Sequence, residues 1–204
     1  MSECKELQRD RAYKLIKDAI LNHELKPGQL LQEQDMVEKF RMGRTPLREA
    51  LQRLTSEGLL QSMSRKGIFV TIMSTEDVRN IFELRSDLDA FAARLAAKRA
   101  SESEIMSLEN ILSDPDFIEE NKTQFDEKVH RAIAKCAHNV ELEKTLNVLY
   151  VKSICMFSME GYVRESVEDM KRELREIIDQ IKLRNPEGAS AAAFKHVESR
   201  NWFQ

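Results

Sequence analysis

Apolar residues recur at three- and four-residue steps in three short segments near the start of the chain, which predicts three amphipathic helices. The apolar positions are Tyr13, Ile16, Ala19 and Ile20 in the first segment, Met36, Val37 and Phe40 in the second, and Leu47, Ala50, Leu51 and Leu54 in the third. The first helix is expected to stop at residues 26–28 (Lys-Pro-Gly), and residues 41–43 (Arg-Met-Gly) are expected to form a tight connection that uses the glycine. For the third helix, Thr45 is the expected N-cap and Pro46 the first helical residue.

After Gly58 the pattern changes to two short β-prone runs, LLQSM at residues 59–63 and GIFVTI at residues 67–72, joined through SRKG. This pattern predicts a β-hairpin with a basic tip. Three helices followed by a hairpin is the element order of a winged helix-turn-helix domain, which we assign to residues 1–73.

From Ser74 onward the pattern predicts only helices, the first two opened by capping pairs at Ser74 with Asp77 and at Ser101 with Glu104. The predicted spans are Thr75 to about Ala100, about 102–112, 115–137, 140–160, 167–184 and 186–200. The expected fold is therefore mainly α. A winged helix-turn-helix is followed, over residues 74–204, by an all-α bundle of six helices around a pocket, which would bind an effector and form dimers.

Composition excludes several classes of protein. No apolar run reaches the roughly 18 to 20 residues of a membrane span, and the first residues do not resemble a signal peptide, so we expect a cytoplasmic protein with no membrane contact. Cys4, Cys136 and Cys155 lack C-x-x-C spacing and are expected to be inert thiols. No nucleophile–base pair, glycine-rich phosphate loop or H-E-x-x-H motif indicates an enzyme.

Positive charge is concentrated in the first half of the chain. Residues 1–73 carry 13 Lys and Arg against 10 Asp and Glu, whereas residues 74–204 carry 19 against 25. Residues 39–66 alone have a net charge of +5. A basic patch on an acidic protein indicates attraction to a polyanion at one face, although a solvated helix surface would show the same charge.

The apolar stripe of the third helix predicts which side of that helix presents its basic side chains to solvent. If Leu47, Leu51 and Leu54 face the core, then Arg44, Arg48 and Gln52 project outward, where they can enter the major groove of double-stranded DNA. The expected phosphate contacts come from Lys39, Arg53, Arg65 and Lys66.

The segment GRTPLREALQRLTSEGLL, followed by RKGIFV, resembles the signature of GntR-type bacterial transcription regulators. The resemblance implies base or phosphate contacts by Arg44, Thr45 and Arg48, a wing contact at Gly67, and a homodimer on a pseudo-palindromic operator. The chain departs from the family pattern at Gln34, where relatives often have arginine, and at residues 41–43, where they often have Gly-Val-Ser.

The segments VRNIFELRSDLDAFAARLAA and FDEKVHRAIAKCAHN resemble the first helix and the Asp-x-x-x-His helix of the FadR C-terminal (FCD) domain group. Six helices rather than seven would place the chain in the VanR-like branch of that group. The resemblance implies a divalent metal, Zn²⁺, Ni²⁺ or Mn²⁺, that holds a small carboxylate effector.

The metal ligands implied by this resemblance are Asp126, His130 and His196, while Leu174 stands where the family has another histidine. Asp126 and His130 are one helical turn apart, but a surface ion pair or a core histidine bonded to a carboxylate has the same spacing. Arg85 is a candidate contact for an effector carboxylate, although an intrahelical bond to Asp89 explains it equally well.

Three functional hypotheses are therefore open. The first is a transcription regulator that responds to a small organic acid. The second is a DNA-binding regulator whose helical domain only dimerises around a vestigial pocket. The third is a metal-dependent hydrolase, since a metal with three protein ligands can activate water.

Overall fold

The computed structural model describes residues 8–22, 24–114, 122–157 and 166–199. These residues form two compact units, the first ending at Met73 and the second starting at Ser74. The first unit contains α1 (Gln8–Leu21), β1 (Leu30–Leu31), α2 (Glu33–Phe40), α3 (Arg44–Ser56), β2 (Leu60–Met63) and β3 (Gly67–Val70). The described part of the second unit contains α4 (Thr75–Arg99), α5 (Glu102–Ser113), α6 (Lys122–Cys136), α7 (Val140–Phe157), α8 (Val167–Lys182) and α9 (Pro186–Glu198). The predicted fold class, mainly α with a small sheet near the start of the chain, is confirmed.

Helix α3 packs on α1 through the predicted apolar stripe. Leu47, Ala50, Leu51 and Leu54 are each at most 2% exposed. Helix α1 buries Ala12, Ile16, Ala19 and Ile20. Tyr13 is only partly buried, and its hydroxyl donates to Glu57 at 2.7 Å. The core of the first unit therefore holds α3 in one rotational setting.

The predicted start of α3 was wrong by two residues. The N-cap is Gly43, with φ −71° and ψ 158°, and Thr45 already lies inside the first turn. Pro46 is the third helical residue, where it is tolerated because the N–H groups of the first turn have no intrahelical acceptor. The turn before α3 also differs from expectation, since Arg41 (φ 50°) takes the left-handed conformation and Gly43 does not.

The predicted hairpin is present, but it belongs to a three-stranded antiparallel sheet with the order β1-β3-β2. Strand β1 was not predicted, because two residues are too short to show an alternating pattern. Gly67 opens β3 with φ +108°, and a Cβ there would lie 2.8 Å from Cδ1 of Leu30. The tip carries Arg65, which is left-handed with φ 63°, and Lys66, and both residues are exposed.

The second unit follows the predicted order of helices. Ser74 and Ser101 both form capping boxes, and Asn185 caps α9 directly before Pro186. The predicted helical residues 115–121, 158–160 and 200 lie outside the described part of the chain. The main core of the second unit is formed by apolar side chains from α4, α5, α6, α8 and α9.

Cys136 is part of this core. Burial raises the pKa of its thiol to about 11, so the group stays protonated, as expected of an inert thiol. Cys4 and the side chain of Cys155 lie outside the described residues. Among the helices described here, no segment has the length and apolar character that crossing a membrane requires.

The capping box of α5 allows a direct test of helix stability in the second unit. The Ser101 hydroxyl accepts from the Glu104 N–H at 3.3 Å, and the Glu104 carboxylate accepts from the Ser101 N–H at 2.8 Å. We expect Ser101→Ala to lower the free energy of unfolding by about 1 kcal/mol, measured by urea denaturation. Ser107→Ala is the control, since Ser107 is exposed within the same helix and alanine favours helix. Equal destabilisation by both variants would contradict the role of the cap.

Candidate nucleic-acid interface and candidate metal centre

One side of α3 carries an exposed polar face that we call the reading face, defined by Arg44, Thr45, Arg48 and Gln52. At about 100° of rotation per residue, these four positions fall within an arc of about 100°. The buried stripe occupies a separate arc of the same helix. Because the stripe is fixed against α1, the reading face is held toward solvent.

Helix α2 supplies a hydrogen-bond acceptor to each arginine of the reading face. Nε of Arg48 lies 3.0 and 2.9 Å from the two carboxylate oxygens of Glu33, and its Nη2 lies 2.9 Å from Oε2. Arg44 donates from Nη2 to Oε1 of Gln34 at 3.1 Å, and Gln34 donates in turn to Glu38 at 2.9 Å. Glu33 was not predicted from the sequence, because no local pattern relates the first residue of α2 to α3.

Arg53 is separated from the reading face. It follows Arg44 by nine residues, which is about half a turn around the helix. Its Nε bonds Glu57 at 3.1 Å, its Nη1 lies 3.5 Å from Asp10, and its guanidinium carbon lies 3.8 Å from the centre of the Tyr13 ring. These contacts tie α3 to α1, so we leave Arg53 out of the proposed DNA contacts.

The other predicted phosphate contacts are surface residues of the same unit. Lys39 pairs with Glu24 at 3.0 Å. Arg65 and Lys66 stand at the hairpin tip, where no carboxylate of the described residues pairs with them. Gly67 contributes its backbone at the start of β3, and its side-chain position is closed by Leu30.

The second unit contains a buried cluster of ionisable side chains. Asp126 and His130 come from α6, and His196 comes from α9; all three are at most 3% exposed. One donor atom from each lies within 4.8 Å of the donors of the other two. Nε2 of His196 is 3.1 Å from Oδ1 of Asp126, and Nε2 of His130 is 3.7 Å from Oδ2. The structure therefore brings together the three side chains that the sequence singled out.

Both histidines have a second carboxylate on their outer side. Nδ1 of His130 lies 3.3 Å from Oδ1 of Asp89, and Nδ1 of His196 lies 2.9 Å from Oε2 of Glu173. Each imidazole thus directs Nε2 toward Asp126 and Nδ1 toward an acid. Histidines that bind metals in proteins have this arrangement, in which an outer carboxylate fixes the tautomer.

The hydrogen bonding of the cluster provides a test of whether a cation fits. Nε2 of His130 is buried and has no hydrogen-bond partner in the described part of the chain. Both nitrogens of His196 lie within hydrogen-bond distance of carboxylate oxygens, whereas a neutral imidazole has a single N–H donor. A divalent cation among Asp126 and the two Nε2 atoms would give Nε2 of His130 a partner, and a neutral His196 would then donate from Nδ1 to Glu173 alone. The donor set therefore fits a metal ion.

Asp89 was predicted only as a possible partner of Arg85, and it lies at the centre of a wider network. Arg85 donates from Nε to its Oδ2 at 3.1 Å, and the Tyr150 hydroxyl donates to its Oδ1 at 2.5 Å. Burial would raise the pKa of Asp89, but the Arg85 guanidinium and the hydrogen bonds from His130 and Tyr150 lower it to about 2. Burial lowers the pKa of His130, which favours the neutral ligand form.

Leu174 supplies no ligand to this cluster. It is fully buried within the apolar core of the second unit, one residue after Glu173. Glu173 was not predicted from the sequence; its position next to Leu174, where the family has a histidine, was the available signal. A metal ion held by Asp126, His130 and His196 would therefore keep further coordination positions for other molecules.

Comparison with known proteins gives matches over both units. Residues 8–70 match the family described as "Bacterial regulatory proteins, gntR family", and residues 80–199 match the family described as "FCD domain". The HTH-type transcriptional regulator YdhC of Bacillus subtilis is 29% identical over 192 residues, covering 90% of this chain and 85% of YdhC. The Nta operon transcriptional regulator of Aminobacter aminovorans is 34% identical over 130 residues, which is 62% of each chain.

Two solved structures share the fold. A GntR-type protein from Rhodococcus sp. RHA1 superposes with a TM-score of 0.75 at 18% identity, covering 96% of both chains. Escherichia coli McbR/YncC gives a TM-score of 0.74 at 19% identity and 95% coverage of both chains. At this level of identity the likeness establishes architecture alone.

Proposed function

The chain belongs to the GntR family of bacterial regulatory proteins and carries an FCD domain, and we propose that it binds a pseudo-palindromic operator as a homodimer controlled by a small carboxylate effector. Its named relatives are transcriptional regulators. Its general function is therefore DNA-binding transcription regulation rather than catalysis, and the hydrolase hypothesis is set aside.

The reading face of α3 is the observation that carries the operator proposal. Arg44 and Arg48 are exposed on a helix that is fixed to its core by buried leucines. An arginine in this position can bond O6 and N7 of guanine in a bidentate pair that discriminates by about 1–3 kcal/mol. Thr45 and Gln52 would contact neighbouring base edges or phosphates, and Arg65 and Lys66 at the wing tip would neutralise phosphates.

The dimer and the pseudo-palindromic operator are proposed together, because a two-fold symmetric protein pairs with a two-fold symmetric site. Two copies related by a two-fold axis would place two copies of α3 in major-groove segments about one helical turn apart, or a multiple of that. A pseudo-palindromic operator mirrors this symmetry. An effector that binds one dimer arrangement more tightly by about 1–3 kcal/mol would then change operator affinity by a corresponding factor.

The buried cluster supports the effector proposal. Asp126, His130 and His196 would hold Zn²⁺, Ni²⁺ or Mn²⁺, which would supply positive charge and open coordination positions for a carboxylate. Asp89 and Glu173 would orient the histidines from outside. Arg85 contacts Asp89 through Nε and Nη2, so its Nη1 is the group that would meet the effector.

Leu174 favours a second candidate, a regulator in which the helical domain only dimerises. Because leucine cannot bind a metal, the site lacks a fourth protein ligand, and metal binding would be weaker. A pocket without bound metal would no longer hold an effector and would be vestigial. Thermal melting with short organic acids, with and without chelator, separates the two candidates. A sensor is stabilised by the acid only when metal is present, whereas a dimerisation module responds to neither.

For DNA binding, we expect Arg44→Ala or Arg48→Ala to weaken binding to a duplex selected by the wild-type protein by about five- to one-hundred-fold, measured by fluorescence anisotropy. Affinity should also fall steeply with salt, because phosphate contacts release counterions. Arg53→Ala is the control within the same helix. Because Arg53 ties α3 to α1, we expect this variant to lower thermal stability and to leave the base preference nearly unchanged. Wild-type affinity in both reading-face variants would contradict the proposal.

For the metal centre, we expect about one Zn²⁺, Ni²⁺ or Mn²⁺ per chain in protein purified without chelator, measured by elemental analysis. His130→Ala or His196→Ala should abolish stoichiometric binding, and Glu173→Gln should lower metal affinity by about 10- to 100-fold, because it removes the outer carboxylate of His196. His138→Gln is the control, since His138 is exposed and bonds Glu104 outside the cluster. Wild-type protein without bound metal would refute the site.

A further inference from the structure

We infer that Glu33 determines base specificity: it holds one edge of the Arg48 guanidinium so that the other edge is presented to O6 and N7 of a guanine. The inference rests on the operator binding proposed above and extends it to a residue of α2. It distinguishes Arg48 as a base-reading residue from arginines that contact phosphate.

The geometry of the pair supports this assignment. A guanidinium has five N–H donors in a rigid plane. Glu33 engages Nε and Nη2 of Arg48, at distances between 2.9 and 3.0 Å. Within the described residues, Nη1 has no acceptor. The edge formed by Nη1 and the second hydrogen of Nη2 is therefore available, and it has the spacing that a bidentate bond to guanine uses.

The charge of the pair points to base reading rather than phosphate binding. Arg48 and Glu33 together are neutral, so the pair releases few counterions on binding and adds little to non-specific affinity. A carboxylate beside the DNA backbone would instead oppose association. Arg65 and Lys66 at the wing tip have no such carboxylate partner among the described residues, as suits phosphate contacts.

Helix α2 is suited to holding this carboxylate. Glu33 is the first residue of α2, where the helix dipole favours negative charge. The Arg48 side chain remains 65% exposed although both carboxylate oxygens contact it. A long side chain is thus restrained before it meets DNA, which lowers the entropy lost on binding. Arg44 has a weaker restraint, a single bond to the neutral Gln34.

The test uses a duplex that the wild-type protein selects from a randomised library, with every single-base variant of that duplex as competitor. We expect Glu33→Gln to act in two opposite directions. Binding to non-specific DNA strengthens, and the salt dependence steepens by about one phosphate equivalent, since one negative charge is lost. At one base pair of each half-site, the preference for guanine falls by roughly tenfold.

Asp35→Asn is the matched control. Asp35 is exposed in the same turn of α2 and carries the same charge, so its replacement should strengthen non-specific binding without changing any base preference. In an Arg48→Ala background, Glu33→Gln should have no further effect at that base pair, because the two residues act as one unit. Glu33→Asp keeps the charge but shortens the reach, and should lose the guanine preference with the salt dependence unchanged.

The outcomes separate this inference from the proposed function. If the wild-type protein selects no sequence, operator binding fails and the inference fails with it. If it selects one, and Glu33→Gln and Glu33→Asp both keep its base preferences, the inference is overturned whatever the thermal melting point does; a lower melting point would then show that the ion pair only packs α2 on α3. Loss of guanine preference at the pair that Arg48→Ala also affects supports it.

Discussion

The burial of the apolar stripe of α3 against α1 is the constraint on which the DNA-binding interpretation depends. Leu47, Leu51 and Leu54 are at most 1% exposed, and burial of each such side chain contributes about 1.5–3 kcal/mol. Rotating α3 by one residue position, about 100°, would expose part of this stripe and carry charged side chains toward the core. The orientation of Arg44 and Arg48 is thus a consequence of the positions of the leucines, and the face they define is set before any DNA is present.

The second unit depends on a different constraint, the compensation of buried charge. Asp89, Asp126 and Arg85 are all at most 3% exposed, and the two histidines beside them are equally buried. Unpaired charges in such surroundings are strongly destabilising, so every carboxylate there needs a cation or a hydrogen-bond donor. A hydrogen bond with His196 meets this need at Asp126, and a divalent cation at the same place would meet it as well. Asp126 and His196, which pair with each other in the protein without metal, are therefore among the residues proposed to hold the metal.

Local signals allowed much of the fold to be predicted, and long-range contacts explain what was not. Short local sequence patterns encode the leucine stripe, the capping boxes at Ser74 and Ser101, and the hairpin. All of these features were predicted. Strand β1 exists only because Leu30 and Leu31 pair with Phe69 and Ile68, nearly 40 positions later. Asp126, His130 and His196 were found through a family resemblance, whereas their outer partners Asp89 and Glu173 needed the packing of separate helices.

Within the described residues, a carboxylate lies behind a nitrogen donor of the proposed sites in several places. Glu33 stands behind Arg48, Asp89 behind His130, and Glu173 behind His196. In each of these pairs the acid contacts one edge of a planar group, and the opposite edge is the one proposed to meet a ligand. Such an acid neutralises positive charge that would attract any anion. It also fixes the orientation of the nitrogen donor, which favours a ligand of defined geometry. This exchange of affinity for orientation suits a regulator, because a protein that must find one operator among many DNA sites depends on the ratio of its affinities rather than on their size.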